Sequence, residues 1–310
     1  MPEGIGAWGG VEHAAVGPAA SPAMVPDMSA PTRIGPFRVV RPLSGREGCM
    51  LYEGRREDGL RAALKFLDLR SATSGAAAEM RSRLHREAAV LEALRHPGVV
   101  RHLDNGEGEA HAWLALELLS GPDLATALAG KRIVDVLQQC RRVLQALVHL
   151  HAQGVVHRDL KPHNVVFDAR RGPVICDLGL AHVPDSLLTQ RGEMLGTPAY
   201  MAPECFLAAA VDARADLFSV GVMLYELLTG RLPFEGRNSG EIMLAIVQEE
   251  PLPPSSLNAQ VAPALDAVLA RALAKSPARR FATAGGFDAA LASAAAGTTA
   301  ATGAEPAVQP

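Results

Sequence analysis

From residue 34 onward the apolar positions fall into short, regular periods. Phe37-Arg38-Val39-Val40, Met50-Leu51-Tyr52 and Ala63-Leu64-Lys65-Phe66-Leu67 are runs of strand length and predict a small sheet. Ala76 to Leu94 has helical composition, with Leu84, Leu91 and Leu94 on one face. Glu87 shares that face with Val90, Leu91 and Leu94, and a carboxylate on a buried stripe is costly unless it is paired. His96-Pro97 then ends the helix, because proline restricts the residue before it. Trp113 to Leu118 predicts a buried strand. Ile133, Val136, Leu137, Cys140, Leu144, Leu147 and Leu150 follow a helical period that stops at Gly154. Two short strands, 164–167 and 173–176, surround a turn, and Leu217, Val220, Gly221, Leu224 and Leu228 predict another buried helix ending at Gly230.

Both ends lack such periods. Residues 1–33 are rich in Gly, Ala and Pro and are read as a disordered leader, in which Met24 and Met28 leave room for a later translation start. Residues 294–310, rich in Ala, Thr and Pro, are read as a disordered tail. The intervening 260 or so residues suit one two-lobed unit, and 48% hydrophobic with 20% charged residues is a globular composition. A net charge of −3 gives no bulk attraction to nucleic acid or to a membrane surface. The apolar stretch from Phe218 to Leu224 is cut short by Glu226, and Glu3 without a basic region makes a poor secretory signal, so a cytoplasmic location is expected. Cys49, Cys140, Cys176 and Cys205 are scattered without a Cys-x-x-Cys pair, which argues against a zinc site or a disulfide framework and for a reducing compartment.

Chemistry enters with His157-Arg158-Asp159-Leu160-Lys161-Pro162-His163-Asn164, followed by Asp177-Leu178-Gly179. Phosphoryl transfer asks a protein to align a hydroxyl and to neutralise phosphate charge, which takes carboxylates, an amide and a fixed lysine. Asp159 can orient and deprotonate an acceptor hydroxyl, Lys161 can offset charge on the transferring group, and Asn164 with Asp177 can hold a metal through hard oxygens.

With Ala62-Ala63-Leu64-Lys65 upstream, Glu87 on the next helix and Ala202-Pro203-Glu204 downstream, the chain resembles a eukaryotic-type (Hanks-type) bacterial serine/threonine protein kinase over roughly Ile34 to Leu291. The resemblance implies an α+β, bilobal fold with a β-rich N-lobe of about 34–118 and a larger helical C-lobe of about 119–293. It implies ATP with Mg2+, or Mn2+ in its place, and protein substrates phosphorylated on serine or threonine. Asp159, Lys161, Lys65 and Glu87 would be catalytic, Glu87 holding the Lys65 ammonium against the α- and β-phosphates, while Asn164 and Asp177 would bind the metal. Nucleotide contacts are implied for Leu43, Ser44, Gly45, Arg46, Gly48, Cys49 and Leu51 in the loop, Ala63 and Lys65 on the following strand, Leu116, Glu117 and Leu119 at the hinge, then Asp123, Asn164 and Asp177. Lys161 and Gly196-Thr197-Pro198-Ala199-Tyr200 resemble the serine/threonine type, with the Thr197 hydroxyl bonding the catalytic pair. Arg158 would pair with a phosphorylated residue of the activation segment, Thr189 or Ser186, in a self-phosphorylated enzyme. Glu204 would pair with Arg280, with Arg279 as a competitor, and Asp216 would bond the backbone around His157 and Arg158.

One stretch departs from the family. Ser44, Arg46 and Cys49 stand where its three loop glycines would be, with Gly45 and Gly48 each displaced by one residue. Two readings stay open: side chains that keep the loop off the phosphates, or a working turn in a shifted register. The first motivates, as the alternative, a nucleotide-binding pseudokinase acting as a signalling scaffold, but Lys65, Glu87, Asp159, Lys161, Asn164 and Asp177 are all present, which favours an active enzyme. A small-molecule phosphotransferase is disfavoured by the Ala202-Pro203-Glu204 segment.

Overall fold

The computed structural model describes residues 31–46, 48–178, 198–207 and 210–301. Six strands form one antiparallel sheet: β1 (Arg33–Ile34), β2 (Phe37–Arg46), β3 (Cys49–Arg55), β4 (Arg61–Asp68), β5 (His102–Gly108) and β6 (His111–Glu117), in the order β1-β2-β3-β4-β6-β5. Alternation of side chains along β6 divides them between two cores. Trp113 and Ala115 join Ile34, Phe37, Tyr52, Ala62 and Leu64 in one. Ala112, Leu114 and Leu116 enter the other, where α1 (Ser74–Ala93) brings Leu84, Ala88 and Leu91. The α1 helix starts at Thr73, whose hydroxyl accepts from Ala76 N–H at 3.4 Å, and it stops before Pro97 as expected.

The lower lobe is helical. Its helices are α2 (Leu124–Leu128), α3 (Ile133–Ala152), α4 (Arg214–Thr229), α5 (Ser239–Gln248), α6 (Pro254–Leu257), α7 (Pro263–Ala272) and α8 (Ala284–Ala301). The α3 stripe predicted from its period, from Val136 to Leu150, is buried, and α4 is buried over most of its length. Gly154 (φ +72°) and Gly230 (φ +73°) follow these two helices in the left-handed region that glycine enters without steric cost. Between α3 and α4 lies the hairpin of β7 (Val165–Asp168) and β8 (Gly172–Ile175). Backbone bonds from Val100 N–H to Ile175 C=O and from Ile175 N–H to Gly98 C=O, both 2.9 Å, stitch β8 to the segment leaving α1.

Two expected boundaries need correction. The leader was to reach residue 33, but Arg33 already pairs with Arg38 in the sheet. The tail was to be irregular from 294, but α8 runs to Ala301. Its second half is mostly alanine, the residue that favours a helix most, and composition alone was mistaken for disorder. Residues 1–30 and 302–310 lie outside the described ones.

The foot of the lower lobe is fastened by Glu204 and Arg280, both buried, with two N–H···O bonds of 2.7 Å. Arg280 also donates to the carbonyls of Ala274, Lys275 and Arg214 and lies 4.8 Å from the centre of the Phe218 ring. Arg280, rather than its neighbour Arg279, takes this place. Removing one member strands the other charge away from water, so Arg280→Ala is expected to cost about 3–5 kcal/mol of unfolding free energy in urea titrations. A cost near zero would mean that Glu204 finds other donors.

Candidate active site

The upper half of the site is built on β4 and α1. Lys65 stands on the same face of β4 as Ala63, and its Nζ donates to Glu87 Oε2 at 2.9 Å and Oε1 at 3.2 Å. A third bond, 2.7 Å, reaches Asp177 Oδ1 from across the cleft. Burial opposes charge on the Lys65 ammonium, but the carboxylates of Glu87 and Asp177 outweigh it and hold its pKa above the usual lysine value. Glu87 is thus paired inside the apolar stripe of α1, as its position required.

The lower half is set by the chain between α3 and β8. Asp216, buried at the start of α4, accepts from His157 N–H and Arg158 N–H, both at 2.9 Å, and contacts His151 Nε2 at 2.8 Å. These bonds support Arg158 at φ +66°, a region a non-glycine residue enters at a cost of roughly 1–2 kcal/mol. The turned backbone presents Asp159, whose Oδ2 accepts from Lys161 Nζ at 2.8 Å and Asn164 Nδ2 at 3.1 Å. Its Oδ1 has no donor among the described residues, which leaves an oxygen for an incoming hydroxyl. Asn164 Nδ2 also donates to the Asp159 carbonyl at 2.7 Å, so its amide oxygen is left for other use.

Cys176 N–H donates to Asn164 C=O at 2.8 Å, which brings Asp177 beside Asn164. Asp177 is itself left-handed, at φ +52°, and Leu178 behind it is buried in the same core as Leu84 and Leu91. Asn164 and Asp177 offer an amide oxygen and a carboxylate, hard donors that fit a magnesium-like cation completing its shell with phosphate and water.

At the hinge, Leu116 is buried and Leu119 packs against the main core. The Glu117 carboxylate accepts from Arg101 N–H at 2.9 Å and Arg171 Nη1 at 3.0 Å, and its own N–H donates to Arg101 C=O at 2.9 Å, so its side chain is held by protein partners. Asp123 caps α2 by accepting from Thr126 N–H at 2.8 Å. Leu43, Cys49, Leu51 and Ala63 are half-buried, and Ser44 is exposed. The loop closes as a hairpin with Gly45 opposite Met50 and Arg46 opposite Cys49. Gly48 turns it at φ +79°, and a Cβ on Gly45 would come within 2.8 Å of the Met50 backbone. Both displaced glycines therefore serve the hairpin. Thr197, Ser186 and Thr189 fall outside the described residues.

Three supports escaped the sequence reading. The His157 ring is fully buried, accepting from Asp159 N–H at Nδ1 (3.3 Å) and therefore donating from Nε2 to Cys176 C=O (3.1 Å), which ties the two metal-side segments together. Arg171 anchors Glu117, and His151 adds to Asp216. No spacing rule exposes these, and Arg170-Arg171 at a turn reads as solvated charge.

A family model described as protein kinase domain matches residues 44–291. The serine/threonine-protein kinase Pkn1 of Myxococcus xanthus is 39% identical over 271 residues, covering 84% of this chain and 38% of its own. The serine/threonine-protein kinase PknE of Mycobacterium tuberculosis is 36% identical over 267 residues, 84% of this chain and 46% of its own. PknB of Mycolicibacterium smegmatis is 35% identical over 215 residues, 65% and 34% of the two chains. The chain thus spans less than half the length of each of these relatives.

Among the described residues, Cys49, Cys140, Cys176 and Cys205 form no disulfide. Burial pushes Cys140 and Cys176 up to about 12 and Cys205 up to about 11, so these thiols stay protonated and inert near neutral pH. Cys176, beside Asp177, packs against the main core. Iodoacetamide near neutral pH is expected to leave Cys140 and Cys176 unmodified in the folded protein and to alkylate both after denaturation, as read by peptide mass spectrometry. Rapid alkylation of folded Cys176 would show a thiolate and a different environment.

Proposed function

The chain belongs to the protein kinase family, and on that premise we propose that it transfers the γ-phosphoryl group of ATP to serine or threonine hydroxyls of protein substrates. The observation that carries this reading is the convergence of Lys65, Glu87 and Asp177 with Asp159, Lys161 and Asn164 at one cleft, each bonded to a partner suited to its role. Lys65, fixed by Glu87, holds the α- and β-phosphates. Asp159 orients the acceptor hydroxyl and takes its proton at the oxygen not engaged by Lys161 and Asn164. Lys161 offsets charge on the transferring group. Asn164 and Asp177 would hold Mg2+, which would supply positive charge to offset that of the phosphates.

Lys161 in the catalytic loop and the names of the relatives support serine/threonine over tyrosine acceptors. The hairpin kept by Gly45 and Gly48 supports an active enzyme over a pseudokinase. Arg158 Nε is buried without a hydrogen-bond partner among the described residues, which supports its pairing with a phosphorylated activation segment, with Thr189 the preferred acceptor and Ser186 the second. No helix among the described residues is long and apolar enough to cross a membrane, and the free thiols fit a reducing cytoplasm.

With labelled ATP and magnesium, the protein is expected to label itself and a generic serine/threonine substrate. Asp159→Ala should lower the rate by roughly 10²–10⁴, the usual contribution of a positioned base. Mapping is expected to find the label at Thr189. Undiminished transfer by a folded Asp159→Ala protein would remove the proposed base, and an unmodified Thr189 and Ser186 in active enzyme would remove the self-phosphorylation step.

A further inference from the structure

The register of the upper sheet lines up four arginines. Arg33 on β1 faces Arg38 on β2, Arg38 faces Arg55 on β3, and Arg55 faces Arg61 on β4. Directly opposed residues share a face of the sheet, so the four form one row, about 14 Å across at the usual strand spacing. All four are exposed. Arg61 lies two and four residues from Ala63 and Lys65, which puts the row on the cleft face of the sheet, about 13 Å along β4 from Lys65 and beside the hinge.

The outer members have partners. Arg33 meets Glu57 at 3.3 Å, and Arg61 meets Glu53 at 2.8 Å, a carboxylate also held by Arg41. The Arg61 guanidinium, aided by Arg41, keeps the Glu53 carboxyl below its usual range. Arg38 and Arg55, in the middle, have no side-chain partner among the described residues. Like charges directly opposite one another on a sheet are destabilising, so nothing within this part of the fold accounts for the pair.

What fits there is a compact group of about two negative charges. A phosphomonoester carries −1.5 to −2 near neutral pH and presents three acceptor oxygens, whereas one carboxylate would leave one arginine uncompensated. Two open charges one strand apart suit a single phosphoryl group and not the phosphate run of a nucleic acid. A face turned toward a cleft suits a chain that can enter it, not a flat bilayer. We propose that Arg38 and Arg55 bind a phosphorylated serine or threonine on a peptide segment of a partner protein, at the hinge end of the cleft. The site is separate from the catalytic residues, and it does not rest on the activity proposed above.

The test is fluorescence anisotropy without nucleotide, using a short labelled peptide with one central phosphothreonine, its threonine and glutamate counterparts, and inorganic phosphate as competitor. The phosphopeptide is expected to bind the full chain at least tenfold more tightly than either counterpart, and phosphate is expected to compete only weakly. Arg38→Thr with Arg55→Thr should weaken binding about tenfold or more, as loss of hydrogen bonds to a charged group does, while Arg237→Ala on α5 should leave it unchanged. The same double variant is expected to melt no lower than the parent, since it relieves a like-charge pair. Equal affinity for the unphosphorylated peptides, equal affinity in the double variant, phosphate alone displacing as well as the peptide, or capture by phosphatidylserine vesicles instead would each overturn the proposal. None of these outcomes bears on the phosphotransfer assay.

Discussion

A carboxylate taken out of water must be met by donors, and the four buried ones among the described residues organise this molecule. Glu87 is met by Lys65, which docks α1 onto the sheet and sets the lysine in place. Asp216 is met by two backbone N–H groups and His151, which fixes the turn that presents Asp159. Glu204 is met by Arg280 and closes the base of the lower lobe. Glu53, between Arg41 and Arg61, does the same at the hinge end of the sheet. None of these pairs gains much over a well-packed apolar contact, but each is costly to break from one side, and together they hold the site in one geometry.

Much of this was legible in the chain. The period of α3, the apolar face of α1 with Glu87 on it, and the glycines that stop two helices are local signals, and the catalytic-loop motif is specific enough to name its own chemistry. Other parts were not, for physical reasons. The β5 sequence is polar and glycine-containing, and it is a strand because β6 offers it an edge to pair with. The alanines of α8 lack the amphipathic pattern by which a helix is recognised, although their intrinsic preference for one is the highest. The His157 ring and Arg171 act through contacts that only tertiary structure creates.

One strand period serves two ends. On β4, Lys65, Ala63 and Arg61 look into the cleft while Leu64 and Ala62 fill the core behind it. Sequence reading placed Lys65 by its motif and not by this alternation. Nor did it follow the alternation to the far end of the strand, because a scattered set of arginines becomes a row only when the register of four strands is known.

The bond from Lys65 to Asp177 joins the sheet to the lower lobe across the cleft. It acts as a latch: the aspartate that a metal would recruit is already spoken for by an ammonium. On the roles proposed above, a nucleotide with its cation would enter by exchange, replacing one charge at Asp177 while offering phosphates to Lys65. The net affinity for metal and nucleotide would then depend on both arriving together, since neither alone would have an undiminished claim on the site.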